Sequence, residues 1–293
     1  MARETLKPHE AIPLPVPALG VVMPVWFNPR LPLRTIGERL RLTLSGTELY
    51  IGQGKLVVVV DGDARSLRVL KELLKEGVGP PEGHQRLIHL RRNRGKGRAL
   101  VEGLKALLPQ KDLHFFAFRD GDGDHYLNDL MNLYRYALWM REKGANDDLI
   151  VIGRRAHIGR SVGMARADFE VILSRVTLEA LKFHLARKGR ALDLRFLSGY
   201  EEVPDLMSGY KIVSRSLAEL IVRRDWQEVL PKRTIDLYRY GMELIPLVEG
   251  ATRGGLLGEV QRRVGEERGL SGHGRFADPR VNAGLALWLF LRL

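Results

Sequence analysis

Apolar residues along the chain fall into two patterns that alternate, short unbroken runs and stripes at helical spacing. The runs are LGVVMPVWF from Leu19, LVVVV from Leu56 to Val60, RLIHL, FFAF and LIVIG. Continuous runs of this length fit strands covered on both faces, as in a parallel sheet. Between them, Leu67, Leu70 and Leu74 form one helical stripe, and Leu100, Gly103, Leu104, Leu107 and Leu108 a second. Leu127, Leu130, Met131, Tyr134 and Leu138 form a third. The order β-α-β-α-β-α-β predicts an α/β fold, a mostly parallel sheet flanked by helices and joined by right-handed crossovers.

After Gly153 the pattern changes to an Arg-rich, largely helical insertion. EEVPDLMSGYKIVSRSLAELI then reads as a loop at Gly209 leading into a capped apolar helix, and LLGEVQRRV reads as a strand. The tail from Asp278 is expected to be helical. Its Leu287, Trp288 and Phe290 are expected to pack on the core, the alternative being contact with a membrane surface. The chain thus divides into an extension (1–17), two halves (18–153 and 154–277) and a terminal helix (278–293), within one domain overall.

Of the 293 residues, 45% are hydrophobic, enough to bury a large core. The absence of cysteine excludes disulfides, thiolate catalysis and Cys-based zinc sites. No signal peptide is read at the start, and AGLALWLFL is too short to cross a bilayer, so a cytoplasmic protein is expected, with a peripheral place at the inner membrane face left open. The net charge of +12 suits a polyanionic partner. It equally suits the solvated Arg-rich surface of a heat-adapted protein. A basic nucleic-acid-binding protein without catalysis is the non-enzymatic alternative that charge raises.

Two acidic clusters fall at strand ends, where ligands bind in such sheets. DGD (Asp61 to Asp63) closes the second run and RDGDGDHYLND the fourth, placing Asp120, Asp122 and Asp124 at alternate positions. Like charges gathered at a buried strand end repel unless a cation joins them. An EF-hand would need glycine and glutamate where His125 and Met131 stand, so the calcium-loop reading fails. Mg²⁺ or Mn²⁺, held by one or two carboxylates with phosphate oxygens and water, fits better. The alternative is an acidic turn in which Asp124 or Asn128 caps the next helix. NRGKGRAL, a glycine-framed Lys96 ahead of a helix, lacks P-loop spacing, but its lysine could meet a phosphate or the edge of a base. A solvated lysine on a tight turn would look the same.

GVVMPVWFNP, VVVVDGDARS, NRGKGRALVEGL, FRDGDGDHYLNDL and VPDLMSGYKIVSRS, in this order, resemble the family 2-like glycosyltransferases of GT-A fold, most of all the polyprenyl-phosphate sugar transferases. The resemblance covers roughly residues 18 to 275. It implies a metal-dependent hexosyl transfer from a nucleoside-diphosphate sugar (UDP- or GDP-linked) to a small anionic or polyprenyl-phosphate acceptor. The first half would then bind the nucleotide sugar and the second the acceptor. On this resemblance Asp61 holds the base or ribose and Lys96 lies against the nucleotide. Asp120 and Asp122 form the D-x-D pair, with Asp122 the direct ligand of Mg²⁺ or Mn²⁺. Asp205 is the candidate catalytic base, or a holder of sugar hydroxyls if configuration is retained, and Arg154 and Arg155 are candidate phosphate binders. Val60 and Asp124 depart from the family pattern, and the paired membrane helices of some relatives are missing. YGMEL and the His273 of RGLSGHGRF resemble instead the retaining glucosyl- and mannosyl-(phospho)glycerate synthases, in which a late histidine completes the metal site.

Overall fold

The structure, a computed structural model, describes residues 16–81, 83–156, 158, 164–197, 203–231, 234–263 and 279–293. Seven strands form one sheet: β1 Leu19–Val25, β2 Leu56–Asp61, β3 Gln85–Leu90, β4 Phe115–Phe118, β5 Leu149–Arg155, β6 Lys211–Ser214 and β7 Leu256–Arg262. Their order is β3-β2-β1-β4-β6-β5-β7. Every pairing is parallel except those of β6, which runs antiparallel between β4 and β5. The α/β alternation and mostly parallel sheet predicted from the apolar runs are therefore present.

The helices are α1 Leu33–Leu44, α2 Thr47–Tyr50, α3 Ala64–Lys75, α4 Lys96–Leu107, α5 Leu127–Gly144, α6 Met164–Ala186, α7 Arg215–Arg223, α8 Leu237–Tyr240, α9 Ile245–Thr252 and α10 Pro279–Arg292. Because side chains alternate across a strand, the sheet divides the core in two. Val22, Val57, Val59, Phe116, Phe118 and Ile152 pack with α4, α7 and α9 on one face. Val21, Met23, Val58, Val60, Phe115 and Val151 pack with α1, α3 and α5 on the other. The unbroken apolar runs exist because both faces are covered.

Three expectations differ from the structure. The stretch before α7 contains a strand, β6, and not only a loop. Ser214 does not cap α7, because its hydroxyl accepts from the backbone N–H of Leu149 at 3.3 Å. In the tail helix Trp288 is buried, as expected, whereas Leu287 and Phe290 face outward. No helix among the described residues is long and apolar enough to cross a membrane.

Candidate active site

The carboxyl ends of β1, β2, β4 and β5 share one rim of the sheet, and the loop entering β6 returns to it because that strand runs the other way. Asp61, the last residue of β2, is buried. Its Oδ1 accepts from the backbone N–H of Arg94 at 2.7 Å and its Oδ2 from that of Gly95 at 2.9 Å. Burial pushes the carboxyl above its ordinary value, and the two N–H bonds offset part of that. Asp61 thereby fixes the turn that presents Lys96. Gly95 is required there, since its φ is 90° and a Cβ would stand 2.8 Å from the Cα of Arg239.

Lys96 opens α4 and its Nζ donates to Asp120 Oδ2 at 2.8 Å, with Glu243 Oε1 at 3.3 Å. Burial lowers the lysine's pKa, but the two carboxylates outweigh it and raise it above the ordinary value. Gly209 lies against this pair: a Cβ there would meet Lys96 Nζ at 2.6 Å and Asp120 Oδ2 at 3.2 Å. The bare backbone of the loop before β6 thus forms one wall of the site.

The acidic loop after β4 is shaped from beneath. Arg119, almost wholly buried, donates through Nε to the carbonyl of His125 at 2.9 Å and through Nη1 to that of Thr43 at 2.7 Å. His125 Nδ1 accepts the backbone N–H of Asp120 at 2.8 Å, which places the ring proton on Nε2, 3.8 Å from Asp120 Oδ2. Burial holds this imidazole neutral, and it stacks on Tyr210 at 4.5 Å between ring centroids. Asp122 is pushed up to about 6 by burial and then by the charges of Asp120 and Asp124. Asp124 faces Arg262 at 3.6 Å, and Asn128 accepts from the Tyr50 hydroxyl at 3.0 Å, so neither caps α5.

Asp205 and Arg155 occupy a different environment from the one expected. Arg155 grips both oxygens of Asp205, Nε to Oδ2 at 2.8 Å and Nη2 to Oδ1 at 2.6 Å, and its Nη2 also donates to Glu170 at 2.6 Å. Both side chains are buried. Burial pushes Asp205 up, yet the bonds and charge of Arg155 outweigh it and hold the carboxyl below its ordinary range. An acid so held is a poor proton acceptor. The base role expected of Asp205 and the phosphate role expected of Arg155 would each have to draw on side chains that already share a buried ion pair. Arg154 is partly exposed and faces Glu259 at 3.5 Å. His273 lies outside the described residues.

The structure thus brings Asp61, Lys96, Asp120 and Asp122 to one rim, while Asp205 is bound to Arg155. Residues that pattern reasoning missed are Glu243, Arg119, Tyr210 and Arg262. Glu243 stood in plain view within YGMEL, but nothing local ties it to a lysine almost 150 positions earlier. Among the described residues no group of three or more acidic or histidine side chains could hold a metal ion by itself. A cation here would need oxygens from a ligand as well. That matches the donor set of Mg²⁺ and Mn²⁺ sites that use one or two carboxylates, and such an ion would offset the burial and the like charges that raise Asp122.

No protein-family model matches the chain. No curated protein matches it by sequence. Among solved structures it is similar to a cytidylyltransferase from Leptospira borgpetersenii serovar Hardjo-bovis (strain JB197), with 12% identity and a TM-score of 0.38 over 84% of this chain and 76% of that one. A likeness this remote carries no argument, and the reading of the site rests on its geometry.

Proposed function

We propose that the rim binds a nucleoside-diphosphate sugar and that the chain is a metal-dependent glycosyltransferase of GT-A type. The observation that carries this reading is the juxtaposition of Lys96, ion-paired to Asp120 and Glu243, with an Asp122 carboxyl pushed up by burial and by the charges of Asp120 and Asp124. Asp122 and Asp120 would hold Mg²⁺ or Mn²⁺, which supplies neutralisation of the charge that develops on a departing diphosphate.

The chain's own residues do the rest. The Lys96 ammonium is held in its charged state and locked in place by two carboxylates, so it offers an anion a donor already oriented. Asp61 keeps the Asn93–Lys96 turn rigid, and Gly209 lets a ligand approach the backbone beside it. The neutral His125 holds the amide of Asp120 and fixes the start of the acidic loop. The acceptor carries an anionic group, either a small acid or a polyprenyl phosphate, in keeping with the net charge of +12.

Calorimetric titration of UDP, GDP and their sugar conjugates, with and without Mn²⁺, tests the proposal. One nucleotide is expected to bind in a Mn²⁺-dependent way. Asp122→Ala is expected to lose that dependence, with affinity down at least roughly tenfold and the thermal transition kept. Unchanged affinity in Asp122→Ala would overturn the metal assignment. Binding of duplex DNA in place of any nucleotide, indifferent to Asp122, would overturn the enzyme reading.

A further inference from the structure

The C-terminal helix is apolar on every side. Between Arg280 and Arg292 its single polar residue is Asn282. Val281, Leu285, Trp288 and Leu289 face the core, where they are buried. The opposite face carries Ala283, Ala286, Leu287, Phe290 and Leu291, spaced three and four apart, and all are exposed. A helix apolar all round is ordinarily covered all round. Here Phe290 is 80% exposed, Leu291 47% and Leu287 37%.

A second apolar line lies on α6. Ile172, Val176 and Phe183 fall within about 40° of one another at helical spacing, and all three are exposed. The Nδ1 of His184 bonds to the carbonyl of Leu293, so the end of α10 sits against the last turns of α6. Phe183, 67% exposed, therefore belongs to the same end of the molecule as Phe290 and Leu291. That end is basic. The guanidinium of Arg187 lies 5.9 Å from the Phe183 ring, and Lys188 and Arg190 follow, all exposed. No ion pair joins any of these three to an acidic side chain among the described residues, but Arg190 donates through Nη1 to the carbonyl of Thr252 at 3.1 Å and is turned toward α9.

We propose that this end of the molecule docks on an anionic lipid surface, inserting Phe290, Leu287, Leu291 and Phe183 at the level of the headgroups while Arg187 and Lys188 pair with lipid phosphates. Charge decides between lipid and a second copy of the chain. A symmetric dimer across this face would bring two copies of Arg187 and Lys188 together, without acidic partners, in a protein already at +12, whereas anionic headgroups complement them. Apolar side chains flanked by cations are the composition that interfacial helices use. At 14 residues α10 is about 21 Å long, too short to cross a bilayer, so it lies in the interface. The proposal stands apart from the nucleotide reading, since none of these residues touches the rim site.

Vesicle co-sedimentation of the full chain tests it, using phosphatidylcholine alone and with about one third phosphatidylglycerol. Binding is expected only to the anionic vesicles, and Phe183→Ser/Leu287→Ser/Phe290→Ser is expected to weaken it by roughly tenfold or more with the circular dichroism spectrum kept. Phe290→Trp is expected to shift its emission to the blue on binding and to be quenched by brominated lipid. A triple variant that binds as well as the parent, or an unshifted Phe290→Trp, would reduce the contact to unspecific charge attraction and overturn the proposal. So would a dimer in sedimentation velocity that Phe290→Ser dissolves, since the face would then belong to a second copy.

Discussion

Lys211 shows what single residues contribute beneath the site. It is buried at the start of β6 and its ammonium donates to the carbonyls of Leu206 and Ser208. It therefore holds the turn that puts Gly209 against Lys96 and Asp120. Burial lowers it to about 8; Glu243 and Asp205 pull it back up in part, while Lys96 and Arg155 add to the lowering. The unfolded chain, with an ordinary lysine, binds the more protons between that value and about 10.4, so stability from this group rises with pH across that window. Urea unfolding at pH 7.5 and 9.5 is expected to show the rise in the parent and not in Lys211→Met. Arg119→Met is expected to cost about 2–3 kcal/mol by orphaning the carbonyls of Thr43 and His125. It should also lower nucleotide affinity, because the acidic loop loses its inner support.

The residues that could be read in advance are those whose chemistry is written in neighbours along the chain. Lys96 between two glycines and Asp120 and Asp122 after an apolar run announce themselves. The carboxylate that shares Lys96 does not, because Glu243 becomes its neighbour only after the α8 segment packs on the first turn of α4. Asp205 could be named from its motif, but only the fold reveals that Arg155 grips both its oxygens.

Among elements, length and covering decide legibility. Strands β1, β2, β4 and β5 are unbroken apolar runs buried on both sides and could be read directly. β6 is four residues long and begins with a buried lysine, so its pattern carries almost no period. Packing of α4 gives a direct test at this scale. A Cβ on Gly97 would stand 2.2 Å from Met242 Cγ and 2.6 Å from the carbonyl of Tyr238. Gly97→Ala is expected to push the Tyr238–Glu243 segment outward, costing about 1–3 kcal/mol and weakening nucleotide binding more than stability alone accounts for. Gly37 on α1 is the control, since a Cβ there meets only Val69 at 3.6 Å. Gly37→Ala is expected to gain about 0.5–1 kcal/mol in thermal or urea unfolding, with binding unchanged.

For the whole molecule, the placement of β6 has a consequence in time. Strands β1 to β4 are neighbours in the sheet and all lie within the first 118 residues, so they can assemble as these appear. The edge of β4, four apolar residues of which three are phenylalanine, is covered only by β6, which begins at Lys211. At about 5–20 residues per second, a growing chain carries that edge open for on the order of 5–20 seconds. An open, hydrophobic strand edge is a template for pairing with another chain. Translation slowed between residues 118 and 211 is therefore expected to raise the aggregated fraction, as read by sedimentation of newly made protein. The same slowing after residue 214 is expected to leave it unchanged. The strand that turns the chain back toward its site is also the one whose late arrival sets how long the nascent protein stays at risk.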